Sequence, residues 1–85
     1  MKIGVIGTGY VGLTTGVVLA TTGNYVICHD IDEQKIEKLK RGISPIYEDK
    51  LEELLLQAIK NNKINFTTDL KKILTSSEVC LISLP

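Results

Sequence analysis

Lys2-Ile3-Gly4-Val5-Ile6-Gly7-Thr8-Gly9-Tyr10-Val11-Gly12 is the stretch that decides the fold. Lys2–Ile6 is a short apolar run and reads as a buried strand. Gly7, Gly9 and Gly12 then follow with the spacing G-x-G-x-x-G, and Tyr10 to about Thr22 reads as a helix. Val11, Thr15, Gly16 and Val18 are expected on its inward face, and Gly23-Asn24 ends it. Glycines spaced in this way between a strand and a helix have separate tasks. Gly7 permits the tight turn, Gly9 leaves the backbone open to a phosphate, and Gly12 lets the helix lie close to the sheet. The amides of Tyr10 and Val11 would point at a pyrophosphate, assisted by the positive end of the helix.

Working outward, Tyr25–His29 is β-branched and aromatic and reads as a second strand. Asp30 stands at its end, about 20 residues beyond the glycines, where a dinucleotide-binding fold needs an acid. A carboxylate there accepts hydrogen bonds from the adenosine ribose and repels a 2′-phosphate, so the expected cofactor is NAD and not NADP. Lys35, about one turn into the next helix, is a candidate for the same ribose or phosphate edge, with a solvated lysine as the alternative. Asp32 reads as the N-cap of that helix, which runs to about Arg41, buries Ile36 and Leu39, and stops at Gly42. His29 reads as a polar residue at a strand end.

Ser44-Pro45-Ile46-Tyr47 reads as a turn, because Pro45 restricts the residue before it. A helix from about Glu48 to Asn61 carries Leu51, Leu54, Leu55, Ala58 and Ile59 on one face, with Glu48, Asp49 and Glu52 at its positive end. Ile64–Thr67 is a third strand, and Thr68 or Asp69 caps a brief helix containing Leu70, Ile73 and Leu74. Val79–Leu84 is continuously apolar and reads as a fourth strand, buried on both faces. Strands alternating with helices imply parallel pairing through right-handed crossovers. The expected fold is α/β, the Rossmann-like half of a doubly wound sheet with strand order 3-2-1-4. Residues 1–85 then form the N-terminal portion of a dinucleotide-binding domain.

Composition narrows the function classes. The chain has 85 residues, 44% hydrophobic, with 10 basic residues against 10 acidic ones. Net neutrality provides no field for nucleic acid or an anionic membrane, and Arg41 is the only arginine. Glycines interrupt the apolar N-terminus, which argues against a signal peptide or a membrane span, so a cytoplasmic location is expected. Cys28 and Cys80 read as small buried core residues. On strands flanking a common neighbour they would lie about 9–10 Å apart, beyond the roughly 7 Å that a disulfide spans. No metal-ligand spacing is present, and no catalytic residue is assigned within the chain.

Several stretches together resemble the opening of the nucleotide-sugar 6-dehydrogenases, the UDP-glucose/GDP-mannose dehydrogenase family. They are Met1-Lys2-Ile3 with Gly7-Thr8-Gly9-Tyr10-Val11-Gly12-Leu13, Asp30-Ile31-Asp32-Glu33 with Lys35-Ile36, Ser44-Pro45-Ile46-Tyr47-Glu48 with Leu51-Glu52-Glu53-Leu54, and Phe66-Thr67-Thr68-Asp69. The resemblance covers essentially the whole chain. It implies that Gly7, Gly9, Tyr10, Val11 and Gly12 hold the NAD pyrophosphate, that Asp30 and Lys35 hold the adenosine ribose, and that Leu84 and Pro85 begin a loop over the cofactor. Thr8 points to the UDP-glucose branch over the GDP-mannose and UDP-N-acetylmannosamine branches.

The implied activity is oxidation of UDP-glucose to UDP-glucuronate in two NAD-dependent steps, by an enzyme that works as a homodimer. The family's nucleophilic Cys, catalytic Lys and sugar-nucleotide-binding residues fall beyond position 85, and neither Cys28 nor Cys80 matches that Cys. Asp49-Lys50 departs from the family's Pro-Gly after Tyr-Glu. Two other readings compete: a free-standing NAD-binding regulatory module, and a Rossmann dehydrogenase for a hydroxy acid or acyl substrate. The exposed edge of an apolar fourth strand weighs against the first, and the Ser-Pro-Ile-Tyr-Glu turn weighs against the second.

Overall fold

A computed structural model describes residues 1–46 and 48–83. The elements in chain order are β1 (Lys2–Ile6), α1 (Tyr10–Thr21), β2 (Tyr25–His29), α2 (Glu33–Lys40), α3 (Asp49–Lys60), β3 (Ile64–Thr67), α4 (Leu70–Ser76) and β4 (Val79–Ile82). The strands form one parallel sheet in the order β3-β2-β1-β4, the expected half of a doubly wound fold. Because the chain leaves β1 toward β2 and later returns to β1 from the other side, a crevice opens at the carboxyl end of β1.

Side-chain alternation along the strands separates two cores. Ile3 and Val5 of β1, Val26 and Cys28 of β2, and Ile64 and Phe66 of β3 pack into one cluster with residues of α1, α2 and α3. Its most enclosed members include Leu13, Val17, Leu39 and Leu55. On the opposite face α4 supplies Ile73, and a Cβ on Gly4 would come within 2.5 Å of the Ile73 Cγ2 atom. Gly4 is therefore the flat spot on which α4 rests.

α1 is seated more closely still. A Cβ on Gly16 would come within 2.9 Å of the Cys28 sulfur, and one on Gly12 would collide with the Gly7 carbonyl oxygen. The buried face of α1 is Gly12, Leu13, Gly16, Val17 and Ala20. This corrects the expected phase: Gly16 faces inward as read, but Val11 and Val18 are exposed. With two glycines required against the sheet, the helix must turn them inward, and the bulkier valines rotate out. Gly23, at φ 97°, carries the chain out of the helix, as expected.

α2 and α3 follow the sequence reading closely. Asp32 caps α2, with its side chain accepting from the amides of Gln34 and Lys35, and Leu51, Leu55 and Ala58 are the buried face of α3. Leu54 and Ile59 pack partly buried against the same cluster. Asp69, not Thr68, caps α4. Tyr47 lies outside the described residues.

β4 departs from expectation. It ends at Ile82, and all four of its residues are exposed. β4 pairs with β1 alone, and among the described residues the helices pack over β1, β2 and β3. An apolar run is buried on both faces only where helices cover both faces. Cys80 is accordingly exposed, contrary to the reading, whereas Cys28 is buried as read; both are free.

The seating of α1 gives a direct test. Gly12→Ala should destabilise the protein by about 3 kcal/mol, the upper range for overpacking, because the obstacle is backbone. Gly9→Ala, whose Cβ would meet nothing within 4 Å, should change stability by less than about 0.5 kcal/mol. Denaturant titration of the two variants beside wild type measures both values.

Candidate functional site

The turn after β1 brings backbone groups to the crevice. Gly7 adopts φ 104°, a conformation that side chains with a Cβ rarely tolerate, and its amide donates to the His29 carbonyl at 2.8 Å. Gly9 is the N-cap of α1 and offers no side chain to its first turn. The first amides of a helix lack intrahelical acceptors, and the first helical bond here runs from the Leu13 amide to the Gly9 carbonyl at 2.9 Å. The amides of Tyr10, Val11 and Gly12 thus stand at the positive end of α1 as donors suited to an anion.

Opposite this turn, at the end of β2, Asp30 is held on several sides. Its Oδ2 accepts from the Thr8 hydroxyl at 2.6 Å and from the Thr8 amide at 3.2 Å. The Lys35 ammonium lies 3.5 Å from the same oxygen, and Oδ1 accepts from the Asp32 amide at 3.1 Å. Burial alone would raise the Asp30 pKa. The hydrogen bonds from the Thr8 side chain and from the Asp32 and Thr8 amides, with the Lys35 charge, outweigh it and bring the carboxyl from 3.8 to about 2. Asp30 is therefore a fixed anion with one lightly used oxygen, Oδ1.

These groups enclose one open cleft of about 610 Å³, whose walls include Gly7, Gly9, Tyr10, Val11, Asp30 and Lys35. The structure thus brings together most of the residues singled out in the sequence. Gly12 lies beneath the cleft wall, against Gly7. Lys35, left between a ligand role and a solvated one, is paired with Asp30. Leu84 and Pro85, expected to begin a loop over the cofactor, lie outside the described residues.

Three neighbours complete the picture. His29 is buried, and its Nε2 is 3.1 Å from the Thr68 carbonyl, a structural tie to the start of α4. Cys28 is enclosed, and burial pushes its thiol to about 12, so it is no nucleophile at neutral pH. Among the described residues no group of three or more potential metal ligands assembles, and no helix is long and apolar enough to cross a membrane. The residue that sequence reasoning missed is Thr8. The available signal was a hydroxyl two residues past β1, beside an acid one residue past the adjacent β2.

Comparison with known proteins agrees with this geometry. The family described as "UDP-glucose/GDP-mannose dehydrogenase family, NAD binding domain" matches residues 1–85. The UDP-glucose 6-dehydrogenase YwqF of Bacillus subtilis is 47% identical over 83 residues, 98% of this chain and 19% of that protein. The UDP-glucose 6-dehydrogenase of Rhizobium meliloti is 46% identical over 83 residues, again 98% of this chain and 19% of its own length. Among solved structures, a GDP-mannose dehydrogenase from Pseudomonas aeruginosa, in a ternary complex, superposes with a TM-score of 0.96 at 38% identity over 100% of this chain and 20% of that one. The chain therefore spans about a fifth of the length of these relatives. It belongs to the UDP-glucose/GDP-mannose dehydrogenase family, as that family's NAD-binding domain.

Proposed function

We propose that this chain is the N-terminal, cofactor-binding part of a UDP-glucose 6-dehydrogenase that converts UDP-glucose to UDP-glucuronate with two NAD, in the cytoplasm and as a homodimer. The observation that carries the reading is the similarity to enzymes of that name along nearly the whole chain. The chain's residues also fit NAD. A Cβ on Gly9 would project into open space, so the glycine leaves a cradle that a pyrophosphate fills. The amides of Tyr10 and Val11 donate to its oxygens, and Asp30 keeps a lone pair of Oδ1 for a ribose hydroxyl. Its charge turns away a 2′-phosphate, and Lys35 balances that charge from the solvent side.

Bound NAD supplies the hydride acceptor. The residues of this chain orient the adenosine half and hold the charge of the phosphates. A GDP-mannose-oxidising enzyme is the second reading, favoured by the backbone match to the Pseudomonas aeruginosa structure.

Full-length protein carrying this chain should form two NADH per UDP-glucose consumed, followed by absorbance at saturating NAD. Faster turnover of GDP-mannose or UDP-N-acetylmannosamine than of UDP-glucose would replace the substrate named above. The 85-residue chain alone should form no NADH from UDP-glucose.

Asp30→Asn should raise the KM for NAD by about tenfold, the value of one charged hydrogen bond. It should also narrow the preference for NAD over NADP, because the repelling charge is gone and the Lys35 ammonium is released. The ratio of kcat/KM for the two cofactors reads this directly.

Acid should expose the same carboxylate. Asp30 is ionised in the folded protein down to about pH 2 but protonates near 3.8 when unfolded. Its stabilising contribution is present above pH 4 and is lost as pH falls toward 2. The stability difference between wild type and Asp30→Asn, measured by denaturant titration at several pH values, should therefore shrink across that window.

A further inference from the structure

The geometry points to Thr8 as a positioning residue for cofactor binding: its hydroxyl fixes the plane of the Asp30 carboxylate, so that Oδ1, and not Oδ2, meets the adenosine ribose. The inference rests on the NAD-binding reading above and adds to it a residue that the glycine pattern itself leaves unspecified.

The starting observation is burial. Thr8 occupies a variable position of the glycine turn beside an open cleft, yet it is only 1% exposed, and Thr8 and His29 are the buried polar residues among those described. His29 is tied to the start of α4 through the Thr68 carbonyl. Thr8 is tied to Asp30, and twice over: its hydroxyl and its amide both donate to Oδ2, at 2.6 and 3.2 Å. A hydroxyl has one proton to donate. Given to Asp30, it is not available to a ligand, so Thr8 acts through the carboxylate and not by contact.

The second observation is how the donors divide between the two oxygens. An aspartate carboxylate rotates in a broad, roughly two-fold well, so its orientation depends on its partners. Oδ2 receives both Thr8 donors and faces the Lys35 ammonium at 3.5 Å, whereas Oδ1, among the described residues, receives the Asp32 amide alone. Oδ2 is saturated and Oδ1 is open. Of the donors, the Thr8 hydroxyl is the closest. Without it Oδ2 keeps one amide at 3.2 Å and a long ion pair to a lysine side chain that is 30% exposed. The carboxylate then swings, and a ribose must pay the ordering cost when it binds.

Full-length protein with Thr8→Val, which removes the hydroxyl and keeps the branched shape, tests this by NAD titration and steady-state kinetics. The dissociation constant and KM for NAD should rise about 3–10-fold, a fraction of a charged hydrogen bond, while kcat stays within about twofold. Thr8→Ser should return NAD binding to near wild type. In an Asp30→Ala background the Thr8→Val penalty should vanish, since nothing remains to be positioned. NAD binding by Thr8→Val equal to wild type, or a penalty that persists in the Asp30→Ala background, overturns the inference while leaving NAD binding itself intact. Failure of the wild-type protein to bind NAD overturns the functional reading and this inference with it. Should Thr8→Val not fold, Thr8→Ala carries the same comparison. If neither folds and Thr8→Ser does, the hydroxyl serves stability and the positioning role is overturned.

Discussion

α1 can lie against the sheet as closely as it does only because it presents glycine at the two positions nearest to it, Gly12 and Gly16. The Gly7 carbonyl occupies the space a Cβ on Gly12 would need, and the Cys28 sulfur crowds the corresponding space at Gly16. That contact orders much else. It fixes the rotation of α1, and so selects Leu13, Val17 and Ala20 as core residues. It also brings the open first turn of the helix to the carboxyl end of the sheet, where donors and a partial positive charge converge. The architecture of the core and the chemistry of the cleft therefore share one steric condition.

The second half of the site is electrostatic. Two acids stand two residues apart at the end of β2 and do different work. The Asp32 side chain caps α2, accepting from the Gln34 and Lys35 amides, while its own amide donates to Asp30. Asp30 thus receives from the turn after β1 and from the start of α2 together. A carboxylate with donors on both oxygens is held as an anion with little freedom. The Lys35 ion pair is partly solvated and adds little stability of its own; its place is to limit the field that Asp30 projects into the cleft.

Much of this was legible in the residues, and the failures have specific causes. The strand order follows from alternating strands and helices with a glycine turn after the first strand, and Asp30 follows from its place at the end of the second. α2 and α3 were readable because polar residues leave only one apolar face on each. α1 was not, since small and apolar residues surround Tyr10–Thr21 on nearly every side and periodicity then carries no phase. The glycines carried the phase instead, through the backbone atoms they must approach. β4 misled in another way: an apolar run records the surroundings a strand is suited to, and among the described residues those surroundings are absent. Thr8 was hidden because its role depends on a contact across two strands, which no local pattern encodes.

The sheet order also has a kinetic side. Of the four strands, interior β1 is made before the other three, yet its register with β4 joins Ile3 to Val79. At about 5–20 residues per second, one flank of β1 waits roughly 4–15 s of synthesis for its partner, while β2 arrives in a fraction of that time. Pairing at such separation is slow, since the loop entropy is lost before the contact forms. The β1–α1–β2 unit, which carries both the glycine turn and Asp30, is thus made well before β4, and the cleft's two halves can meet before the sheet is whole.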